Sequence, residues 1–215
     1  MTENDHSQIT LDFRPAEPSD ADLAGQLLFD TFPEIATHII GLGDESRGRE
    51  VLENIFPVEG HRLSYEHAIV ALDDDQPVGM SIAFPASELL ELDIQLGKVV
   101  LREYDFGEKL SVIFRSLPVI FIREAVGDEY LLSNIAVRES YRGKGIGSRI
   151  LSHIEEKAEK NEFHRVALLV SIENEAAQRF YEDHGYEVKA VHLESEDGGS
   201  QLGHGYKRMV KNLRE

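Results

Sequence analysis

Ile9, Leu11 and Phe13 alternate with Thr10, Asp12 and Arg14, a period of two that predicts a strand with one buried face. Beyond it the pattern turns helical. Leu23, Leu27 and Leu28 recur at helical spacing behind Ser19, the predicted N-cap, with Asp20 and Asp22 in the first turn. Pro33 interrupts; a short helix is expected over 34–40 with Gly41 as its stop, and another over 46–56 carries Val51, Leu52 and Ile55 up to Pro57. Residues 67–72 and 77–84 flank the acidic turn 73–76 and read as a hairpin. The stretch 86–128 is less regular, with helical spacing over 87–104 and again over 107–116, before Pro118.

The second half is better signalled. Residues 130–137 form an apolar strand, and a helix is predicted over 148–161. On that helix Gly147, Leu151, Ile154 and Ala158 share one side, with Glu155, Glu156 and Lys157 on the other. The almost wholly apolar run 165–172 predicts a buried central strand. A short helix follows, capped by Asn174 and stopped at Gly185. Residues 186–194 and 204–210 close the chain as a hairpin around the loop 195–200. Interleaved strands and helices place the chain in the α/β or α+β class, around one mixed sheet.

Composition narrows the function. The 215 residues include no cysteine, which excludes disulfides, thiolate nucleophiles and zinc–thiolate sites. The nine histidines show neither His-x-His nor His-Glu-x-x-His spacing, so no metal is expected. The N-terminus is polar, and the apolar run 118–122 is far too short to span a membrane. A soluble, cytoplasmic protein with no membrane partner is the expectation. A net charge of −18 argues against nucleic-acid binding. It suits attraction of a cationic substrate, and equally a solvated coat or adaptation to a salty cytoplasm.

Against that acidic background, residues 142–147 read RGKGIG between the strand and the helix. Over 138–149, Arg138, Arg142, Lys144 and Arg149 face a single acid, Glu139, a local charge of +3. A helix start offers unpaired N–H groups and the positive end of the helix dipole. Glycines at 143, 145 and 147 let an anion approach those groups closely. The dinucleotide fingerprint is excluded because Ser148 stands three residues beyond Gly145, and the P-loop because Lys144 precedes Gly145. An ordinary glycine-rich turn is the plain alternative; the cations and the strand–loop–helix order favour a phosphate site.

The segment resembles the GNAT superfamily of acetyl-CoA-dependent N-acetyltransferases. Their Arg/Gln-x-x-Gly-x-Gly/Ala signature is matched by Arg142, Gly145 and Gly147. A second motif, Asn-x-x-Ala-x-x-Phe/Leu-Tyr-x-x-x-Gly-Phe/Tyr, is matched by Asn174, Ala177, Phe180, Tyr181, Gly185 and Tyr186. The resemblance implies a mostly antiparallel twisted sheet in which two parallel strands splay apart, with helices on both faces. It implies that acetyl-CoA lies in that cleft, its pantetheine arm paired with the backbone of Ile135, Ala136 and Val137. The pyrophosphate would sit on the N–H groups of Arg142, Gly143, Lys144, Gly145, Ile146, Gly147 and Ser148. Asn174 would contact the pantetheine side, Phe180 would line the cleft, and Tyr181 would protonate the leaving sulfur; the residues alone also allow Tyr181 to be a core tyrosine.

The implied activity is direct acetyl transfer to a primary amine of a small molecule or peptide, with acetyl-CoA as cosubstrate and no metal. Relatives often carry an acid near the position of Ser133, where this chain has Ser133 and Asn134. Glu129, Glu34 or a water chain remain as candidates for the base. A non-catalytic acyl-CoA-binding module on the same fold is the alternative, and a longer acyl group is also open. The chain is expected to be one domain over 1–215, with a helical insertion at 86–128 beside the acceptor site; a homodimer is allowed and not required.

Overall fold

The computed structural model describes residues 10–118, 122, 124–193 and 204–214. Seven strands form one sheet: β1 (Leu11–Pro15), β2 (Ala68–Asp73), β3 (Gln76–Pro85), β4 (Tyr130–Val137), β5 (Arg165–Ser171), β6 (Glu187–Leu193) and β7 (Gly205–Asn212). Their order is β1-β2-β3-β4-β5-β7-β6, and every neighbouring pair is antiparallel except β4–β5. The mixed sheet and its single parallel pair match the expected class. β2 and β3 are joined by Asp74 and Asp75, both at positive φ (47° and 64°), as a two-residue hairpin turn requires. The loop 195–200 lies outside the described residues.

Strand alternation splits the apolar residues between two cores. Val70, Met80, Ile82, Phe84 and Leu131 face α1 (Ala21–Thr31), α2 (Pro33–Ile35), α3 (Glu45–Ile55), α4 (Leu89–Val100) and α5 (Phe106–Ser116). Ile69, Ala71, Val78, Tyr130 and Leu132 face α6 (Ile146–Lys160) and α7 (Glu175–Asp183). Helices therefore cover both faces. In α4, Leu92 and Val100 are buried, and Leu89 and Leu96 pack against the same core, as their spacing predicts. Among the described residues no helix is long and apolar enough to cross a membrane.

Local chemistry departs from the sequence expectations at several ends. Ser19 does not cap α1; it sits inside a 3-10 turn, Pro18–Asp20. Asp20 is the reason: its carboxylate takes both terminal nitrogens of Arg14 (2.7 Å each) and the Glu17 N–H (2.8 Å), which fixes the turn ahead of the helix. The helix expected over 34–40 is α2 running into a π-turn, Ala36–Ile40. Gly41 ends it, though not through a left-handed backbone, since its φ is −78°. A Cβ there would lie 1.9 Å from the Asp44 carbonyl oxygen, so close approach demands glycine. Glu155, expected on the outer face of α6, instead pairs with Lys211 at 2.7 Å and is only 15% exposed.

Three histidines set an acid limit on stability. His61 is fully buried, its Nε2 3.0 Å from the Ile55 carbonyl and its Nδ1 accepting the Leu63 N–H at 3.2 Å. That geometry requires the neutral ring with the proton on Nε2. Burial pushes the pKa of His61, His67 and His153 below the ordinary value. The unfolded chain therefore binds more protons than the fold once pH drops under about 6.5. Their stabilising contribution is full above that value and is lost as pH falls through it towards the lowered native values. Asp93, whose carboxyl is raised by burial, acts in the opposite sense and nearer the carboxylate range. Thermal melts should show Tm falling between about pH 7.5 and about pH 5.5; a flat Tm over that window would contradict the assignment.

Candidate active site

β4 and β5 pair only through Tyr130–Val166 and Leu131–Ala167 and then diverge. Past Leu131, alternate residues of β4 turn their N–H and C=O groups towards β5 with no strand to receive them. The fork opens a cleft of about 500 Å³, walled by Ser133–Val137 from β4, Leu169–Ser171 from β5, and Asn174, Ala177 and Tyr181 from the α7 side. On the opposite wall stand Asp30, Thr31, Phe32, Glu34 and Ile35, with Arg62, Leu96, Ile122 and Glu124.

Between β3 and β4 the register shifts: Ile82 faces Asn134 and Ala83 faces Leu132, leaving Ser133 as the extra residue. Such a bulge re-aims a side chain. Ser133 Oγ receives Arg62 Nη2 at 3.0 Å and donates to Asn134 Oδ1 at 2.8 Å. Asn134 Nδ2 donates to Thr31 Oγ1 at 2.8 Å, and Thr31 Oγ1 to the Leu28 carbonyl at 2.8 Å. This polar chain ties α1 to the strand that forms one side of the fork.

The glycine loop leaves open space at the start of the next helix. Gly143 and Gly145 sit at φ +75° and +77°, and a Cβ on either would meet nothing within 4 Å. The space above them is open, and side chains there would fill it. α6 begins at Ile146, two residues earlier than expected, so the helix start lies inside the motif itself. The N–H groups of Ile146, Gly147 and Ser148 are the first of the helix and have no carbonyl inside it to bond. Arg142 donates through Nε to the Val137 carbonyl (3.0 Å) and through Nη2 to Asp30 (3.1 Å), pinning the loop to the end of β4. Lys144 Nζ lies 4.8 Å from the centre of the Tyr141 ring.

At the other side of the fork, Asn174 Oδ1 accepts the Ala177 N–H at 3.0 Å, capping α7, while the residue itself lines the cleft. Gly185, at φ +85°, stops the helix. Tyr181 lines the cleft with its ring held by Phe180 (centroids 5.2 Å) and Tyr186 (5.6 Å). Burial pushes its phenol above the ordinary value near 10. Phe180 packs its ring on the first turn of α6, 3.6 Å from where a Cβ of Gly147 would stand. Glu129 is 1% exposed and is held by Arg208 and by the Val126 N–H at 2.8 Å, away from the cleft wall. Glu34 is exposed at the cleft.

A model of the acetyltransferase (GNAT) family matches residues 26–186. The chain belongs to that family. Its members move an acyl group from acetyl-CoA, so acyl transfer is the reaction class of this GNAT chain. The fold agrees with solved relatives. An N-acetyltransferase from Staphylococcus aureus Mu50 is 21% identical, with a TM-score of 0.70 over 93% of this chain and 99% of its own. A protein described as an acetyltransferase is 20% identical, with a TM-score of 0.68 over 94% of this chain and all of its own. A Bacillus subtilis acetyltransferase in complex with CoA is 13% identical, with a TM-score of 0.55 over 96% and 100%. No curated protein sequence matches this chain significantly.

Proposed function

We propose that this chain transfers the acetyl group of acetyl-CoA directly to a primary amine of a small molecule or peptide. The observation that carries the reading is the fork: unpaired β4 backbone, an open glycine cradle at one end and a buried tyrosine on the wall. The residues present fit acetyl-CoA, because the cradle above Gly143 and Gly145 is clear of protein atoms. Ile135, Ala136 and Val137 would pair with its pantetheine arm, and the loop Arg142–Ser148 would hold its pyrophosphate, with Asn174 on the far side. When bound it supplies an acetyl thioester whose sulfur needs a proton on leaving.

Tyr181 Oη is the proton donor in this reading, since burial keeps the phenol protonated throughout the neutral range. No acyl-enzyme on sulfur is available to a chain without cysteine. We read 1–215 as one domain, and 86–128 as an insertion that supplies Leu96, Ile122 and Glu124 to the acceptor wall.

The same lack of cysteine makes the test clean, because a thiol reagent reads only released CoA. A panel of primary amines at saturating acetyl-CoA should show amine-dependent thiol release. Tight CoA binding with no release by any amine would favour the non-catalytic module instead.

A further inference from the structure

One wall of the cleft holds a charge cluster assembled from four separate segments. Arg62 donates to Glu124 through both terminal nitrogens (2.7 and 2.5 Å), to Asp93 Oδ1 at 3.0 Å and to Ser133 Oγ at 3.0 Å. The Arg62 side chain is 13% exposed, Glu124 21% and Asp93 42%. Two carboxylates thus share one guanidinium, an excess of one negative charge. Among the described residues no second cation pairs with either carboxylate. The other charged pair on the wall, Asp30 with Arg142, is already matched.

A net charge held partly out of water is unfavourable without a counter-ion. Asp93 registers this: burial, reinforced by Glu124, outweighs the attraction of Arg62 and raises its carboxyl above the ordinary value. A cation on the ligand would supply what the described residues do not. Ser133, which touches Arg62, precedes Ile135 by two residues, about 7 Å along a strand.

Resting on the amine-transfer reading above, we propose that Glu124, positioned by Arg62, binds a second cationic group of the acceptor, so that a diamine is preferred to a monoamine. Glu124 is then a specificity-determining residue and Arg62 its positioning residue. A purely structural role, tying the segment around Glu124 to β4, would change stability without changing selectivity.

The test is calorimetric titration of the CoA-saturated protein with putrescine and with n-butylamine, the same carbon chain with and without the second ammonium. Putrescine should bind at least ~10-fold more tightly, the order expected for one partly desolvated charge contact. That advantage should shrink to within about 2-fold in Glu124→Gln and in Asp93→Asn, while n-butylamine changes little. Asp93→Asn leaves the Arg62–Glu124 pair intact and keeps the test available if Glu124→Gln does not fold. Equal affinities in the wild type, or an advantage that survives both substitutions, would overturn the proposal. Turnover in the same samples separates it from the reading beneath. Selective binding without acetylated product sinks the transfer and not the subsite; equal kcat/KM for both amines sinks the subsite and not the transfer.

Discussion

Tyr181→Phe is expected to fold, to bind acetyl-CoA as the wild type does, and to lose roughly 10²–10⁴-fold in kcat. The ring contacts with Phe180 and Tyr186 are aromatic packing that phenylalanine reproduces. Only the hydroxyl is removed, and the groups assigned to the cosubstrate are mostly backbone elsewhere. Because burial raises the phenol, no loss of donor by ionisation should appear in the wild-type rate as pH rises through 8 to 9 (about one to two units below the free phenol). The measurement is kcat at saturating substrates together with a thermal melt for both proteins. Unchanged turnover in a folded variant would remove Tyr181 from the chemistry, and lowered stability with normal turnover would make it a packing residue.

Gly145→Val should lower the affinity for CoA by about 100-fold or more, the equivalent of losing one or two charge-assisted hydrogen bonds. Gly145 caps α6 in the left-handed region, at φ +77°, and a Cβ there would meet no protein atom. Valine therefore does not clash within the fold. It adds backbone strain of about 1–2 kcal/mol and fills the cradle. Gly145→Asn separates the two effects, since asparagine tolerates that backbone and still covers the N–H groups. Calorimetry should show affinity falling in both variants. Wild-type affinity in a folded Gly145→Asn protein would mean the phosphates lie elsewhere.

The site was legible where its chemistry is local. The bounds of β4, the glycine loop and the Asn174 cap follow from contiguous residues, because strand alternation, positive-φ glycines and capping are short-range effects. The start of α6 was placed two residues late because glycine is a poor helix former and the motif reads as a loop. Ser19 and Glu155 were misplaced for another reason: Arg14 claims Asp20, and Lys211 reaches Glu155 across 56 residues. The Arg62 cluster had no signal to read. Its partners stand 31, 62 and 71 residues away, and no local pattern marks Asp93, Glu124 or Ser133 as one group.

The measurement that bears most directly on the central claim is product identity. Wild-type protein is incubated with acetyl-CoA and each amine that promotes thiol release, and the amine is then weighed by mass spectrometry. The account predicts acetylated amine in one-to-one proportion with released CoA, with both products reduced together in Gly145→Asn at subsaturating acetyl-CoA. CoA released without an acetylated amine, or CoA bound with nothing released, would contradict it.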